Sequence, residues 1–109
     1  IIGRDGEVRR KLKRTGVPLG MVSDTEYKAA PDVQLEPGDI VALLTDGAEE
    51  AIDADGQFLG LGGVARIINE NRDKPAAEIV QIIYKEVVAF SEDPKDLDDV
   101  TAIVMKVLD

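Results

Sequence analysis

The sequence predicts one α+β domain whose strands pair mostly in antiparallel fashion. Two short apolar runs, residues 40–44 and 100–107, suit buried strands, and apolar residues at three- and four-residue steps over residues 75–91 predict an amphipathic helix. Most of the predicted strands precede the helices and one follows them, which is the order of an α+β fold rather than of alternating strand–helix units. The 109 residues suffice for one domain or part of one, and no linker divides them.

The N-terminal residues predict a strand that enters a hairpin. Residues 1–2 are apolar, and the Asp-Gly pair at 5–6 is one that favours a tight hairpin turn. Val8 and Leu12 then keep the even spacing that is expected of one face of the returning strand.

A loop, a short strand and a turn are predicted before the first apolar run. Residues 16–20 (Gly-Val-Pro-Leu-Gly) predict a loop, because Gly and Pro interrupt any helix there. Residues 24–30 predict a short strand, and residues 36–39 (Glu-Pro-Gly-Asp) predict a tight turn. The run at 40–44 is continuously apolar and bounded by turn residues, as expected for a strand covered on both faces.

The second half of the chain predicts two helices and a closing strand. Residues 48–51 suit a short helical turn, residues 53–56 another turn, and residues 64–71 a short helix. Residues 75–91 predict the stronger helix, and residues 100–107 predict a strand that is apolar on both faces. The stripe of the stronger helix consists of Ile79, Ile82, Ile83, Val87 and Phe90.

Cysteine and histidine are both absent from the sequence. Their absence excludes disulfides, thiolate zinc sites, cysteine nucleophiles and histidine general bases within these residues. A metal ion bound by this chain must therefore be held by oxygen atoms, which points to magnesium, manganese or calcium.

The charge is strongly acidic, with 13 basic against 22 acidic residues, which argues against nucleic acid as a partner. The first fourteen residues are the exception, and two interpretations stay open: a solvated surface, or a binding surface for a phosphorylated or acidic partner. These basic residues form a strip that consists of Arg4, Arg9, Arg10, Lys11, Lys13 and Arg14.

No apolar run is long enough for a membrane span and no signal peptide is visible, so we expect a cytoplasmic protein. The first residue is Ile and not an initiator Met, which predicts a processed chain or a fragment.

Two aspartate motifs flank the two apolar runs. Asp46 follows the run at 40–44, and Asp98 and Asp99 precede the run at 100–107. If these runs are antiparallel neighbours, the end of one lies beside the start of the other. Carboxylates about 4 Å apart repel by about 4 kcal/mol at an effective dielectric near 20, and a hard divalent cation would offset this repulsion. Alone, each motif has a plainer interpretation, as an Asp-Gly turn or a solvated acidic loop.

Two other loops do not match known ligand-binding motifs. A calcium loop with Gly56 at its sixth position would place Ala51 at the first and Gly62 at the twelfth, where acidic ligands are required. Residues 60–63 are glycine-rich, but no Gly-Lys-Ser/Thr follows them and no strand leads into them, so they are not a phosphate loop.

Four motifs together resemble the metal-dependent protein serine/threonine phosphatases. Residues 35–51 (LEPGDIVALLTDGAEEA) resemble the central motif of that family, in the bacterial branch typified by SpoIIE and RsbU. Residues 16–20 resemble the loop before its central strands, residues 55–60 its turn before a short helix, and residues 98–101 (Asp-Asp-Val-Thr) its closing motif. The order of the four motifs is that of the family, and they cover nearly the whole chain.

The resemblance implies a fold, a metal site and a substrate. The chain would form part of a four-layer αββα sandwich, as the C-terminal portion of a phosphatase domain over residues 1–109. It would use two Mn²⁺ or Mg²⁺ ions, with Asp46 and Asp98 as metal ligands and Asp99 in support. The substrate would be phosphoserine or phosphothreonine on a regulatory protein, such as an anti-sigma-factor antagonist.

The first half of the family domain, which supplies further acidic ligands, does not match any part of this chain. The Asp-Gly pair at 5–6 does not replace the family's metal-bridging pair, because it lies in a predicted hairpin turn. We therefore expect an incomplete metal site, an inactive fragment and an exposed sheet surface that a homo-oligomer would cover. The alternative is a non-catalytic regulatory module that uses the basic strip to bind an acidic or phosphorylated partner.

Overall fold

The computed structural model describes all 109 residues, and its helices and strands all lie from residue 40 onward. Strands lie at the two ends of this region with the helices between them, which confirms the α+β class. The predicted strand at 40–44 and the helix predicted at 75–91 are confirmed, whereas the short helical turn and the other helix form but begin earlier than predicted, at Asp46 and Gly60. The elements are β1 (Ile40–Leu44), α1 (Asp46–Glu49), α2 (Gly60–Glu70), α3 (Ala76–Phe90) and β2 (Ala102–Lys106).

The two strands form one antiparallel sheet. Ile40 lies opposite Lys106 and Leu44 lies opposite Ala102, so the end of β1 is beside the start of β2. The predicted antiparallel pairing is therefore confirmed. It determines where the two aspartate motifs lie, because each motif flanks one of these adjoining strand ends.

Helices α2 and α3 cover one face of the sheet. Ile79, Ile83 and Val87 recur every four residues along α3 and are completely buried, as the apolar stripe predicted. They pack in one cluster with Ile40 and Val104, which point to the same side of the sheet. Each such side chain stabilises the fold by about 1.5–3 kcal/mol through removal from water.

The opposite face of the sheet is largely open. Leu43, Ile103 and Met105 are 45%, 53% and 47% exposed, and only Val41 is buried there. The prediction that β1 is covered on both faces is therefore wrong for these 109 residues, which supply one helical layer and one two-stranded sheet. The four-layer sandwich requires a second sheet on this face. The two layers that these residues do not supply remain a prediction.

The first 39 residues contain no helix and no strand. Ile2 forms isolated bridges with Val8 and Ile40, and a turn lies between Ile2 and Val8 as predicted. The predicted strand at 24–30 is wrong, because these residues pair with no strand and Asp24 has a φ of 55°, which interrupts an extended backbone. Leu12 is also exposed, so the even spacing of its segment does not indicate a buried strand face.

One charged side chain in the core holds the N-terminal segment against β1. Asp39, immediately before β1, is 2% exposed and forms an ion pair with Arg9. Its carboxylate also accepts a hydrogen bond of 2.9 Å from the Glu36 N–H. Arg9 is thus a structural partner and not a free member of the basic strip. No helix in the structure has the length and apolar character needed to cross a bilayer.

Candidate functional site

The antiparallel ladder brings the two aspartate motifs side by side. The Thr45 N–H donates a hydrogen bond of 3.0 Å to the Thr101 carbonyl, which extends the pairing one residue beyond the strands. Asp46 follows directly as the first residue of α1, and Asp98 and Asp99 occupy the loop that leads to Thr101. The strand-end argument from sequence therefore predicted the correct juxtaposition of the two backbone segments.

The Thr45 side chain joins the two motifs more closely than the ladder alone. Its hydroxyl accepts a hydrogen bond of 2.9 Å from the Thr101 N–H and donates one of 3.0 Å to the Asp99 carbonyl. Within the loop, the Asp99 N–H donates to the Asp98 carboxylate at 2.8 Å. Sequence reasoning missed this role of Thr45, although a hydroxyl at the end of a buried strand is a common partner for loop backbone.

Gly47 allows the closest approach between the motifs. A Cβ atom at this position would lie 2.6 Å from the carbonyl oxygen of Asp99 and 2.9 Å from that of Asp98. Both distances are shorter than a carbon–oxygen contact permits, and the neighbouring atoms are backbone and cannot easily move. Glycine is therefore required here because α1 packs directly against the loop that carries Asp98.

The three predicted ligands, Asp46, Asp98 and Asp99, lie on the surface. No arginine or lysine forms an ion pair with any of them. Exposed carboxylate oxygens without cationic partners are a donor set that suits Mn²⁺ or Mg²⁺. No group of three or more acidic side chains is gathered closely enough to enclose an ion, so these residues offer only part of a coordination shell.

A cavity of about 390 Å³ opens beside Gly47 and Asp98. No basic residue contributes to its lining, and its apolar wall includes Phe58, whose side chain is largely exposed. A phosphate group would be repelled from such a surface unless cations neutralised it first. Sequence reasoning did not identify this acidic wall, although the acidic residues that follow α3 could have indicated it. The other acidic residues of the lining are Glu50, Glu92, Asp93 and Asp96.

The loop at 53–56 is a turn, as predicted. The Asp53 carboxylate accepts hydrogen bonds of 2.9 Å from the N–H groups of Asp55 and Gln57. Because two backbone donors of its own turn occupy this carboxylate, Asp53 differs from the exposed Asp46, whose carboxylate accepts no hydrogen bond, and from the exposed Asp98, whose carboxylate accepts one. It provides a matched control for experiments on them.

Comparison with known proteins identifies the family of the chain. The sequence model of the family described as stage II sporulation protein E (SpoIIE) matches residues 1–108. The phosphoserine phosphatase RsbU of Bacillus subtilis (strain 168) is 34% identical over 95 residues, which are 87% of this chain and 28% of RsbU. The chain thus spans little more than a quarter of that relative, and no solved structure matches it. The chain belongs to the SpoIIE family.

Proposed function

We propose that this chain supplies metal-binding residues to a Mn²⁺- or Mg²⁺-dependent phosphoprotein phosphatase. The observation that carries the proposal is the contact of residues 45–47 with residues 98–101, which brings Asp46 and Asp98 to adjoining backbone positions. The phosphoserine phosphatase activity named for RsbU supports the reaction class. The acidic, histidine-free surface supports a mechanism that depends on cations and uses no covalent nucleophile.

Each residue of the site has a distinct part in this proposal. Asp46 and Asp98 would hold the ions, and Asp99 would support Asp98 through its backbone N–H. Two bound ions would supply an activated water and would neutralise the phosphate oxygens. The acidic wall of the neighbouring cavity excludes free anions until cations are present, so metal and phosphate binding would be coupled.

The proposed substrate is a serine- or threonine-phosphorylated regulatory protein, such as an anti-sigma-factor antagonist. Support comes from the RsbU relative, whose name specifies phosphoserine. Further acidic ligands from outside these 109 residues would complete the two-metal site. The isolated chain is accordingly expected to be inactive.

A non-catalytic binding module is the second candidate, and one observation favours it. Arg10 and Lys11 line an apolar cavity of about 460 Å³ that runs beside β1 and includes Leu12, Leu43 and Leu61. A cationic rim on an apolar cavity suits an acidic or phosphorylated protein segment without any need for metal. The two candidates therefore differ in whether the acidic residues bind cations.

Manganese titration of the full-length protein separates these functions. We expect calorimetry to detect Mn²⁺ binding, and phosphate release from a phosphoserine protein to require the metal. Asp46→Ala should abolish both without unfolding the protein, whereas Asp53→Ala should retain both. Absence of metal binding in the wild type, or normal manganese-dependent turnover by Asp46→Ala, would contradict the phosphatase proposal.

A further inference from the structure

We propose that the Thr45 hydroxyl is a positioning group that fixes the Asp98 carboxylate relative to Asp46. This inference rests on the proposed function, since it assigns a role within the same metal site. It concerns a residue that is not itself a metal ligand. The hydroxyl acts through the backbone of the loop before β2.

A continuous set of hydrogen bonds connects Thr45 to Asp98. The hydroxyl donates to the Asp99 carbonyl at 3.0 Å, and the N–H on the other side of the same residue donates to the Asp98 carboxylate at 2.8 Å. Thr45 is also covalently bonded to Asp46. One side chain therefore links the backbone next to Asp46 to the loop that carries the Asp98 carboxylate.

The hydroxyl uses both of its hydrogen-bonding capacities at this point. It accepts from the Thr101 N–H at 2.9 Å, and the Asp99 carbonyl at 3.0 Å is a nearer acceptor for its hydrogen than the Thr101 carbonyl at 3.5 Å. These two contacts lie two residues apart on the loop, so they fix its direction as well as its distance. The ladder bond from the Thr45 N–H to the Thr101 carbonyl is the last of the sheet, because α1 begins at Asp46, so the contact with the Asp99 carbonyl depends on the hydroxyl.

Because Thr45 is exposed, its effect on the metal ligands can be distinguished from its effect on folding stability. The side chain is on the surface, where loss of a hydrogen bond has only a modest effect on folding stability. A metal site is more sensitive, because loss of a group that orients a ligand typically lowers metal affinity by about 10–100-fold. A variant that lacks the hydroxyl should therefore lose metal affinity out of proportion to its loss of stability.

Two substitutions in the full-length protein test this inference. Thr45→Val keeps the shape and removes the hydroxyl, whereas Thr45→Ser keeps the hydroxyl. We expect Thr45→Val to raise the Mn²⁺ dissociation constant by about 10–100-fold in calorimetry and Thr45→Ser to raise it by less than about threefold. Thr25→Val is the matched control, because the Thr25 hydroxyl only donates to Val22 in an exposed loop at 3.2 Å.

Amide hydrogen exchange provides a readout that needs no metal. The Thr101 N–H should exchange slowly in the wild type and in Thr45→Ser, and faster in Thr45→Val. Unchanged Mn²⁺ affinity in Thr45→Val, or equal defects in the Val and Ser variants, would overturn the inference. If the wild type binds no Mn²⁺, the proposed function fails. In that case an unchanged Thr101 exchange rate in Thr45→Val would refute the positioning contact as well, and faster exchange would support it.

Discussion

The two ends of β1 both carry an aspartate, and the two residues have opposite environments. Asp39, at the start, is 2% exposed and bonded to Arg9 and to the Glu36 N–H. Asp46, at the end, is exposed and has no cationic partner in the chain. A buried carboxylate requires a partner, whereas an exposed one is free to bind a ligand. The contrast separates an acid that holds the fold together from an acid that is available for chemistry.

The difference arises from what packs at each strand end. The N-terminal segment covers the start of β1, where Arg72 also donates to the carbonyls of Gly3 and Gly38 at 3.0 Å each. At the other end, the backbone of the Asp98 loop lies against Gly47 and accepts a hydrogen bond from the Thr45 hydroxyl. Arginine is thus concentrated where the fold requires charge balance and is absent where a cation would bind.

The largest expected effect is on stability, from Arg9→Ala. It leaves the Asp39 carboxylate buried without its cation, and we expect a loss of about 3 kcal/mol, near the low end for buried pairs because Arg9 is 35% exposed. Urea denaturation measures this change. Arg10→Ala is the control and should have little effect; equal stability of Arg9→Ala and the wild type would remove the distinction between the two ends.

Asp46→Asn should give the second largest effect, and only when metal is present. In EDTA we expect its unfolding free energy to lie within about 0.5 kcal/mol of the wild type, as for an exposed residue. With Mn²⁺ at 100 times the wild-type dissociation constant, the wild type should gain about 2.7 kcal/mol and the variant much less. Thermal or urea unfolding of the full-length protein with and without metal checks both expectations. Equal stabilisation by manganese would show that Asp46 is not a ligand.

A smaller effect is expected at Asp53, an acid whose partners are local. Asp53→Ala removes the acceptor for the N–H groups of Asp55 and Gln57, and should cost about 1 kcal/mol while it preserves metal binding. Urea unfolding gives the first quantity and manganese calorimetry the second. A loss of metal affinity as large as that of Asp46→Ala would place this turn within the metal site.

The smallest effect is expected from an exposed ion pair. Arg66 and Glu70 are 3.0 Å apart across one turn of α2, and both side chains are more than half exposed. Glu70→Gln should change the unfolding free energy by about 0.3 kcal/mol or less, because solvent screens the pair and a negative charge at a helix C-terminus is unfavourable. Urea unfolding at low and high salt measures it, and a loss above about 1 kcal/mol would show that surface pairs matter more here than expected.

The end of β1 could be predicted from sequence because its determinants are local. An apolar run followed by residues 45–47 marks both the strand and its end, and the Asp98 motif marks the start of β2. The position of Asp46 beside the Asp98 loop then follows from antiparallel pairing. The close contact at Gly47 and the bridging hydroxyl depend on packing at atomic distances, which the pattern does not contain.

The start of β1 could not be predicted because its determinants are distant in sequence. Arg9 and Asp39 are 30 residues apart, and Arg9 lies in a basic strip that suggests a solvated surface. The strand predicted at 24–30 failed for a related reason, since a strand forms only when it pairs with another segment, and the local sequence does not specify that partner. Similarly, the apolar side chains of Ile103 and Met105 indicate that burial of this face of the sheet is favourable. They do not specify whether the segment that buries it lies within these 109 residues.

Gly47 has a consequence for how natural variants of this chain should be interpreted. Any replacement adds at least one carbon where the backbone of Asp98 and Asp99 leaves no space, and so pushes apart two segments that are otherwise intact. We expect such an allele to impair the proposed metal site although Asp46 and Asp98 are unchanged. Its carriers would resemble those with a missing aspartate, although every acidic residue would still be encoded.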